Sequence, residues 1–288
     1  MRSNTSYCRK PEWLKIKLPD AAKASQVVGL LKGKCLNTIC QSGLCPNRGE
    51  CWDKGTATFM IGGDVCTRAC RFCNVKTGNP GGKIDTGEIE RIIETISTLG
   101  LKHAVITSVD RDDLPDGGAA HWVALIRAIR EKCPSVTMET LVPDFRGNRN
   151  SLELIADEKP EVISHNLETV ERLTPDVRCT ATYRGSLSVL EYFASRGIRT
   201  KSGIMLGLGE TEEEILRTMD DLRSVGCSVM TIGQYLQPTS NHYPVKAYIH
   251  PDKFEKYRLI GLEKGFLFVE SSPFVRSSYH AERHAGAV

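Results

Sequence analysis

Eleven cysteines are spread very unevenly over the 288 residues of this chain, and seven of them fall between Cys35 and Cys73. Cys40, Cys45 and Cys51 follow a C-x4-C-x5-C spacing, and Cys66, Cys70 and Cys73 follow C-x3-C-x2-C. An odd, crowded set in a chain this long is a poor disulfide framework. Each triplet instead offers three soft thiolates, which suit an iron–sulfur cluster or zinc. Structural zinc usually takes four protein ligands, often from two paired C-x2-C knuckles, and neither triplet has that form. Three thiolates on a four-iron cube leave one iron open, and an open iron is where chemistry can occur. Two such triplets side by side predict two clusters with different jobs. Spacing alone also permits Cys35, Cys40 and Cys45 as a C-x4-C-x4-C set. The isolated Cys8, Cys133, Cys179 and Cys227 read as buried free thiols.

Composition narrows the class. The chain is 40% hydrophobic and 25% charged, enough for a full core and against wholesale disorder. A net charge of +3 does not describe a nucleic-acid binder, and basic pairs such as Arg9 with Lys10 or Lys15 with Lys17 read as solvated surface. Met1 to Asp20 has no apolar signal region, and no apolar run approaches the ~20 residues needed to span a bilayer. The expectation is a soluble cytoplasmic protein with neither membrane nor nucleic acid as partner.

Residues 1–55 read as an irregular extension with one helical stretch, 21–32. From Thr56 the pattern becomes strand then helix, repeatedly. Strands are predicted at Ala57–Ile61, His103–Val109, Val136–Val142, Glu161–His165, Thr200–Leu206, Ser228–Tyr235 and Phe266–Val269. Helices are predicted at Thr86–Leu99, Ala119–Lys132, Ser151–Ala156, Leu187–Ser195, Thr211–Val225 and Pro251–Glu263, with Thr211 and Glu214 forming a capping box. About six β-then-α units argue an α/β fold, a partial (β/α)6 TIM-like barrel. No strand is followed by a G-x-G-x-x-G turn, and Gly207–Glu210 reads as a βα turn. The implied organisation is an N-terminal cluster-binding extension (1–55), the barrel (56–270) and a short C-terminal tail (271–288). The second triplet follows the first strand, on the face where barrels build their working loops.

Cys66-x3-Cys70-x-Phe72-Cys73 in that position resembles the radical S-adenosylmethionine superfamily. The resemblance implies a four-iron cluster on Cys66, Cys70 and Cys73. Its open iron chelates S-adenosylmethionine, and one electron releases a 5′-deoxyadenosyl radical that abstracts hydrogen from unactivated carbon. The cofactor carries that chemistry and the protein orients it. The first triplet, with Cys45-Pro-Asn-x-x-Glu-Cys51-Trp, Gly55-Thr-Ala-Thr-Phe-Met, Asp112-Asp-Leu-Pro-Asp-Gly-Gly118 and Arg276-Ser-Ser-Tyr279, is similar to the lipoyl synthase family over about residues 9–282. That resemblance implies an auxiliary four-iron cluster on Cys40, Cys45 and Cys51, with Ser277, or Ser278 in its place, as fourth ligand. Cys35 is then a bystander. It further implies insertion of sulfur at C6 and C8 of an octanoyl chain on a lysine of a lipoyl carrier domain, with the auxiliary cluster consumed as the sulfur source. Acceptors would be 2-oxoacid dehydrogenase E2 subunits or the glycine cleavage H protein, and a flavodoxin or ferredoxin would supply electrons.

Lesser candidates surround these. Phe72 and Asn166 are placed at the cofactor, with Glu168 beside Asn166; helix capping is the alternative role for both Asn166 and Glu168. Arg68 and Arg71 either support the cluster's charge or face solvent. Asp112, Asp113 and Asp116 form an acidic loop on the working face, where simple solvation is the more ordinary role. Lys201 and Arg178 could each meet a carboxylate. His280 and His284 fall in a tail expected to fray. Biotin-synthase-like sulfurtransferases and methylthiotransferases share the C-x3-C-x2-C triplet but not the other motifs. An electron carrier would close its clusters with four cysteines.

Overall fold

The computed structural model describes residues 10–15, 29, 31, 33–43, 45, 47 and 57–286. Seven strands form its frame: β1 (Ala57–Ile61), β2 (His103–Ser108), β3 (Thr137–Leu141), β4 (Val162–Ser164), β5 (Thr200–Leu206), β6 (Val229–Gln234) and β7 (Phe268–Ser271). They pair in that order, all parallel. The crossovers contain α1 (Glu88–Leu99), α2 (Ala119–Lys132), α3 (Arg149–Asp157), α4 (Tyr183–Ser195), α5 (Glu212–Ser224) and α6 (Pro251–Glu263), and α7 (Ala281–Ala285) follows β7. Among the described residues the two ends of the sheet do not pair, so the barrel is open.

Strand alternation divides the barrel into an outer layer and a lumen. Phe59, Ile61, Ala104, Ile106, Met138 and Ile163 face outward and pack with α1, α2 and α3. Ile204, Leu206, Met230 and Ile232 do the same against α4, α5 and α6. The intervening residues turn inward by the two-residue period of a strand. That places Glu139 and Lys201 inside, where their side chains are 0% and 1% exposed and meet at 2.9 Å. Ser164 Oγ donates to the other carboxylate oxygen at 2.7 Å.

Most predicted elements fall where the sequence put them. β1, β5, α2 and α6 keep the same bounds, and the Thr211–Glu214 capping box forms at the start of α5. The Gly207–Glu210 turn is closed by the Glu210 carboxylate, which accepts the N–H groups of Gly207, Leu208 and Gly209. Other readings change, among them α4, which starts at Tyr183 rather than Leu187 because Thr182 caps it. β7 starts two residues late, because the Phe266 N–H closes on Gly261 O of α6 before the strand begins. The extension is not wholly irregular: Asn37–Thr38 pairs antiparallel with β1 and covers that sheet edge. The tail does not fray at His284, which is fully buried on α7. The predicted helix at 21–32 lies largely outside the described residues, as do Cys8 and Cys51.

Candidate functional site

The loop between β1 and α1 carries Cys66, Cys70 and Cys73 beyond the C-terminal edge of the sheet. A two-residue ribbon, Val65–Cys66 against Lys76–Thr77, closes the loop on itself. Thr67 fastens it to the β2–α2 loop: its N–H and its hydroxyl donate to Asp110 O at 3.0 and 2.9 Å. The same hydroxyl accepts the Asp112 N–H at 3.0 Å. Backbone N–H groups of Arg68 and Asp110 each point at Cys66 Sγ from 3.4 Å. Donors trained on a sulfur favour its thiolate, the form that ligates iron.

Arg68 lies within this structure, its side chain 3% exposed. It forks Asp112 through Nε at 2.8 Å and Nη2 at 2.9 Å, and reaches Asp144 at 2.7 Å. Asp110 stands 3.3 Å from its third nitrogen. Burial works to raise the Asp144 pKa, but the Arg68 hydrogen bond prevails and holds it below the usual range. For Asp110 burial prevails over Arg68 and the pKa is raised. The carboxylates raise the Arg68 pKa despite burial, so the guanidinium stays charged. Arg68 therefore supports the loop and does not face solvent. Arg71 is exposed, stacked 5.1 Å over the Tyr243 ring. Phe72 packs against the second core, and His242 Nε2 lies 3.0 Å from Cys73 O.

Burial pushes the Cys66 thiol up to about 11 and Cys70 to about 12, and raises Cys73 as well. Metal-free, the three are neutral thiols at pH 7, so loading must displace their protons. Among the described residues no three cysteine, histidine or carboxylate side chains gather tightly enough for a single ion. A cube ligated at separate corners does not require that convergence, and the three soft donors on one braced loop fit it.

The first triplet is partly in view. Cys40 is buried on the short helix Ile39–Ser42, which Thr38 caps, and the half-buried Cys45 donates its N–H to Cys40 O at 3.1 Å. Cys35 is exposed, with a φ of +51°. Asn74, next to Cys73, donates to Ser42 O at 2.9 Å and so ties the two cysteine segments together. Asn47 donates to Phe274 O, tying the same segment to the C-terminal chain. That chain presses against β6: a Cβ on Gly233 would sit 2.1 Å from Val275 O, so only glycine fits there. Just beyond, Ser277 Oγ accepts a hydrogen bond from Asn166 Nδ2 at 2.7 Å. Burial lowers the Arg276 pKa, and the charge of Cys45 partly offsets this.

Other candidates resolve individually. Asn166 and Glu168 cap no helix; Glu168 has a φ of +69° and bridges to β5 through Gly203 O and Met205 N–H. Among the described residues Arg178 meets no carboxylate hydrogen-bond partner, donating instead to Asn166 O and, at 2.8 Å, to Ser186 Oγ. Lys201 does meet one, Glu139, inside the lumen. The acidic loop is engaged rather than merely solvated: Asp113 pairs with Arg111, and Asp116 accepts the Gly118 and Ala120 N–H groups at the start of α2. Cys133 and Cys227 are buried as expected, but Cys179 is exposed, with its sulfur 3.8 Å from Cys70 Sγ. Sequence reasoning missed Asp110, Asp144 and His242. Asp110 adjoins a conspicuous acidic run, whereas nothing local marks the other two.

The profile of the Radical SAM superfamily matches residues 60–222. Solved structures agree at the level of fold. Methylornithine synthase superposes with a TM-score of 0.56 at 14% identity, covering 74% of this chain and 71% of that one. Streptococcus suis SuiB bound to S-adenosylmethionine gives 0.59 at 12% identity, covering 78% and 53%. Fold and loop thus define a radical S-adenosylmethionine enzyme, a class that works with that cofactor and a four-iron cluster. Much nearer in sequence, the lipoyl synthase of Treponema denticola is 60% identical over 276 residues, 96% of this chain and 95% of that protein. The lipoyl synthase of Porphyromonas gingivalis is 58% identical over 279 residues, 96% and 99%. This chain belongs to the lipoyl synthase family.

Proposed function

We propose that this chain inserts two sulfur atoms, at C6 and C8, into an octanoyl group amide-linked to a lysine of a lipoyl domain. The hydrogen bond from Asn166 to Ser277 carries the assignment of residues, because it brings the C-terminal tail to the rim that bears the second triplet. When bound there, the cluster and S-adenosylmethionine supply a 5′-deoxyadenosyl radical able to take hydrogen from unactivated carbon. Cys66, Cys70 and Cys73 hold that cluster, Arg68 and its carboxylates keep the loop rigid, and Phe72 and Asn166 stand beside the cofactor. Cys40, Cys45 and Cys51 with Ser277 hold a second four-iron cluster, which serves as the sulfur substrate. An oxygen ligand among thiolates is the replaceable one, suited to a cluster that must come apart. Asn166, donating to the Ser277 oxygen, favours its ionised, ligating form. Residues 1–55 and 271–288 act as extensions that complete this second site around the 56–270 barrel.

The acceptors in this reading are E2 subunits or the glycine cleavage H protein, with a flavodoxin or ferredoxin as reductant in the cytoplasm. Among the described residues no helix is long and apolar enough to cross a membrane.

The test uses anaerobically reconstituted protein given S-adenosylmethionine, a reductant and an octanoyl-lysyl peptide. About eight irons per chain, as two four-iron clusters imply, and a dithiolated peptide by mass spectrometry are expected. Cys45→Ala should keep deoxyadenosine formation and lose the sulfur product. Deoxyadenosine without any carbon–sulfur bond from the unaltered chain would overturn the reading.

A further inference from the structure

Cys179 belongs to none of the motifs above, yet its sulfur stands 3.8 Å from that of Cys70. Cys66 Sγ lies 3.7 Å from Asp110 Oδ2, and the backbone at Cys73 is tied to His242, whose Nε2 is 3.0 Å from Cys73 O. Cys179 is exposed and Cys70 half-buried, so a small oxidant in solvent reaches the pair from the Cys179 side.

The approach is built rather than incidental. The Arg71 N–H, one residue after Cys70, donates to Val177 O at 2.9 Å, two residues before Cys179. The Arg71 guanidinium adds a second tie to Asp176 O at 3.2 Å. On the other side, Arg178 anchors the Cys179 segment to Asn166 O and Ser186 Oγ, and its N–H closes on Thr174 O at 2.9 Å. Both segments are therefore fixed next to their cysteines. The sulfurs need approach by only about 1.8 Å to reach the S–S length of about 2.0 Å.

We propose that Cys70 and Cys179 form a disulfide whenever the chain lacks its first cluster and a low-molecular-weight disulfide is present. The inference rests on Cys70 being a cluster ligand. Cys179 attacks glutathione disulfide and becomes a mixed disulfide, releasing one glutathione. Cys70 then displaces the second glutathione, so two thiols are oxidised and one glutathione disulfide is reduced to two thiols. The bond removes one of the three ligands, so the oxidised chain cannot take up a cluster until a dithiol reductant reopens it. It also keeps Cys70 from the irreversible steps of sulfur oxidation that a cluster-stripped ligand faces. With the cluster in place, iron occupies Cys70 and the exchange stops at Cys179.

The test treats the full chain with glutathione disulfide, once loaded with cluster and once stripped by chelator without oxygen, and maps unreduced peptides by mass spectrometry. The stripped chain should yield a Cys70–Cys179 cross-link, lighter by two hydrogens than the reduced peptides. The loaded chain should carry glutathione on Cys179 and no cross-link to Cys70. Cys179→Ser should abolish the cross-link while its unoxidised form still takes up iron. Cys70 pairing with Cys66 or Cys73, or ending as a stable glutathione adduct, overturns the proposal and leaves Cys70 a ligand. A cross-link formed equally in the loaded chain overturns the masking by iron, and with it the ligand assignment.

Discussion

At the C-terminal rim of the barrel, the three thiols of the loop, Cys179 and the Ser277 hydroxyl stand among backbone donors, with Arg68 held by its own carboxylates. At the opposite end of the lumen, Lys201 meets Glu139 at 2.9 Å and His284 Nδ1 at 3.3 Å. Glu139 is also held by Ser164, and Arg199 donates to the carbonyls of His284 and Gly286 as α7 closes that end. The rim keeps donor atoms that the chain's own cations do not neutralise. The lower lumen spends its charges on one another. A buried ion pair adds little net stability over an apolar filling, but losing one partner strands the other. The rim should therefore tolerate substitution in the fold and fail in chemistry, and the lumen should do the reverse.

The sharpest way to break this contrast is Cys66→Ala. Iron should fall from about eight to about four per chain, and S-adenosylmethionine cleavage should drop to background. Urea unfolding of the metal-free protein should move by less than about 1 kcal/mol. Retained cleavage would remove Cys66 from the cluster.

Lys201→Met is the lumen counterpart. It strands Glu139 and should destabilise by about 3–5 kcal/mol in urea unfolding. Adding Glu139→Gln should restore most of that, and a double variant as weak as the single one would show that the ion pair is not the cause.

His165 sits between the two ends, and its protonation sharpens the comparison. Its Nδ1 lies 2.9 Å from Val142 O and its Nε2 2.9 Å from Ser186 Oγ, so one nitrogen donates and the other accepts in a neutral ring. Burial, then the charge of Arg178, pushes its pKa down to about 4, below the ordinary 6.5. Between those values the unfolded chain binds a proton that the folded chain refuses. Stability from this residue should thus be intact above pH 6.5 and fall by about 1.4 kcal/mol per pH unit down to pH 4. Comparing His165→Gln with the unaltered chain at pH 7 and pH 5 checks this: equal losses in the two would exclude His165 as the source.

The smallest effect lies outside both regions. Thr211→Ala removes the side chain that accepts the Glu214 N–H at 3.3 Å and should cost about 1 kcal/mol in unfolding, with activity unchanged. A loss of activity there would mean the β5–α5 turn serves the rim directly.

Local chemistry made much of this legible in the sequence. The alternation of β1 and the apolar stripe of α1 record which way each residue faces, so the barrel's units follow from periods of two and 3.6. Thr211 with Glu214 announces a helix start by its own hydrogen bonds. The C-x3-C-x2-C spacing names its ligands because one short loop holds all three. Residues that act across the barrel left no such mark. Ser277 is 111 positions from Asn166, Arg68 is 76 from Asp144, and Cys70 is 109 from Cys179. The sequence by itself determined the unit order, the loop that bears the thiols and the family. Only the tertiary structure decided that Arg68 is buried under three carboxylates, that His284 closes the lumen, and that Cys179, read as a buried thiol, is exposed and faces Cys70. Those pairings depend on which loops the closing sheet brings to the same rim, and no local period encodes that.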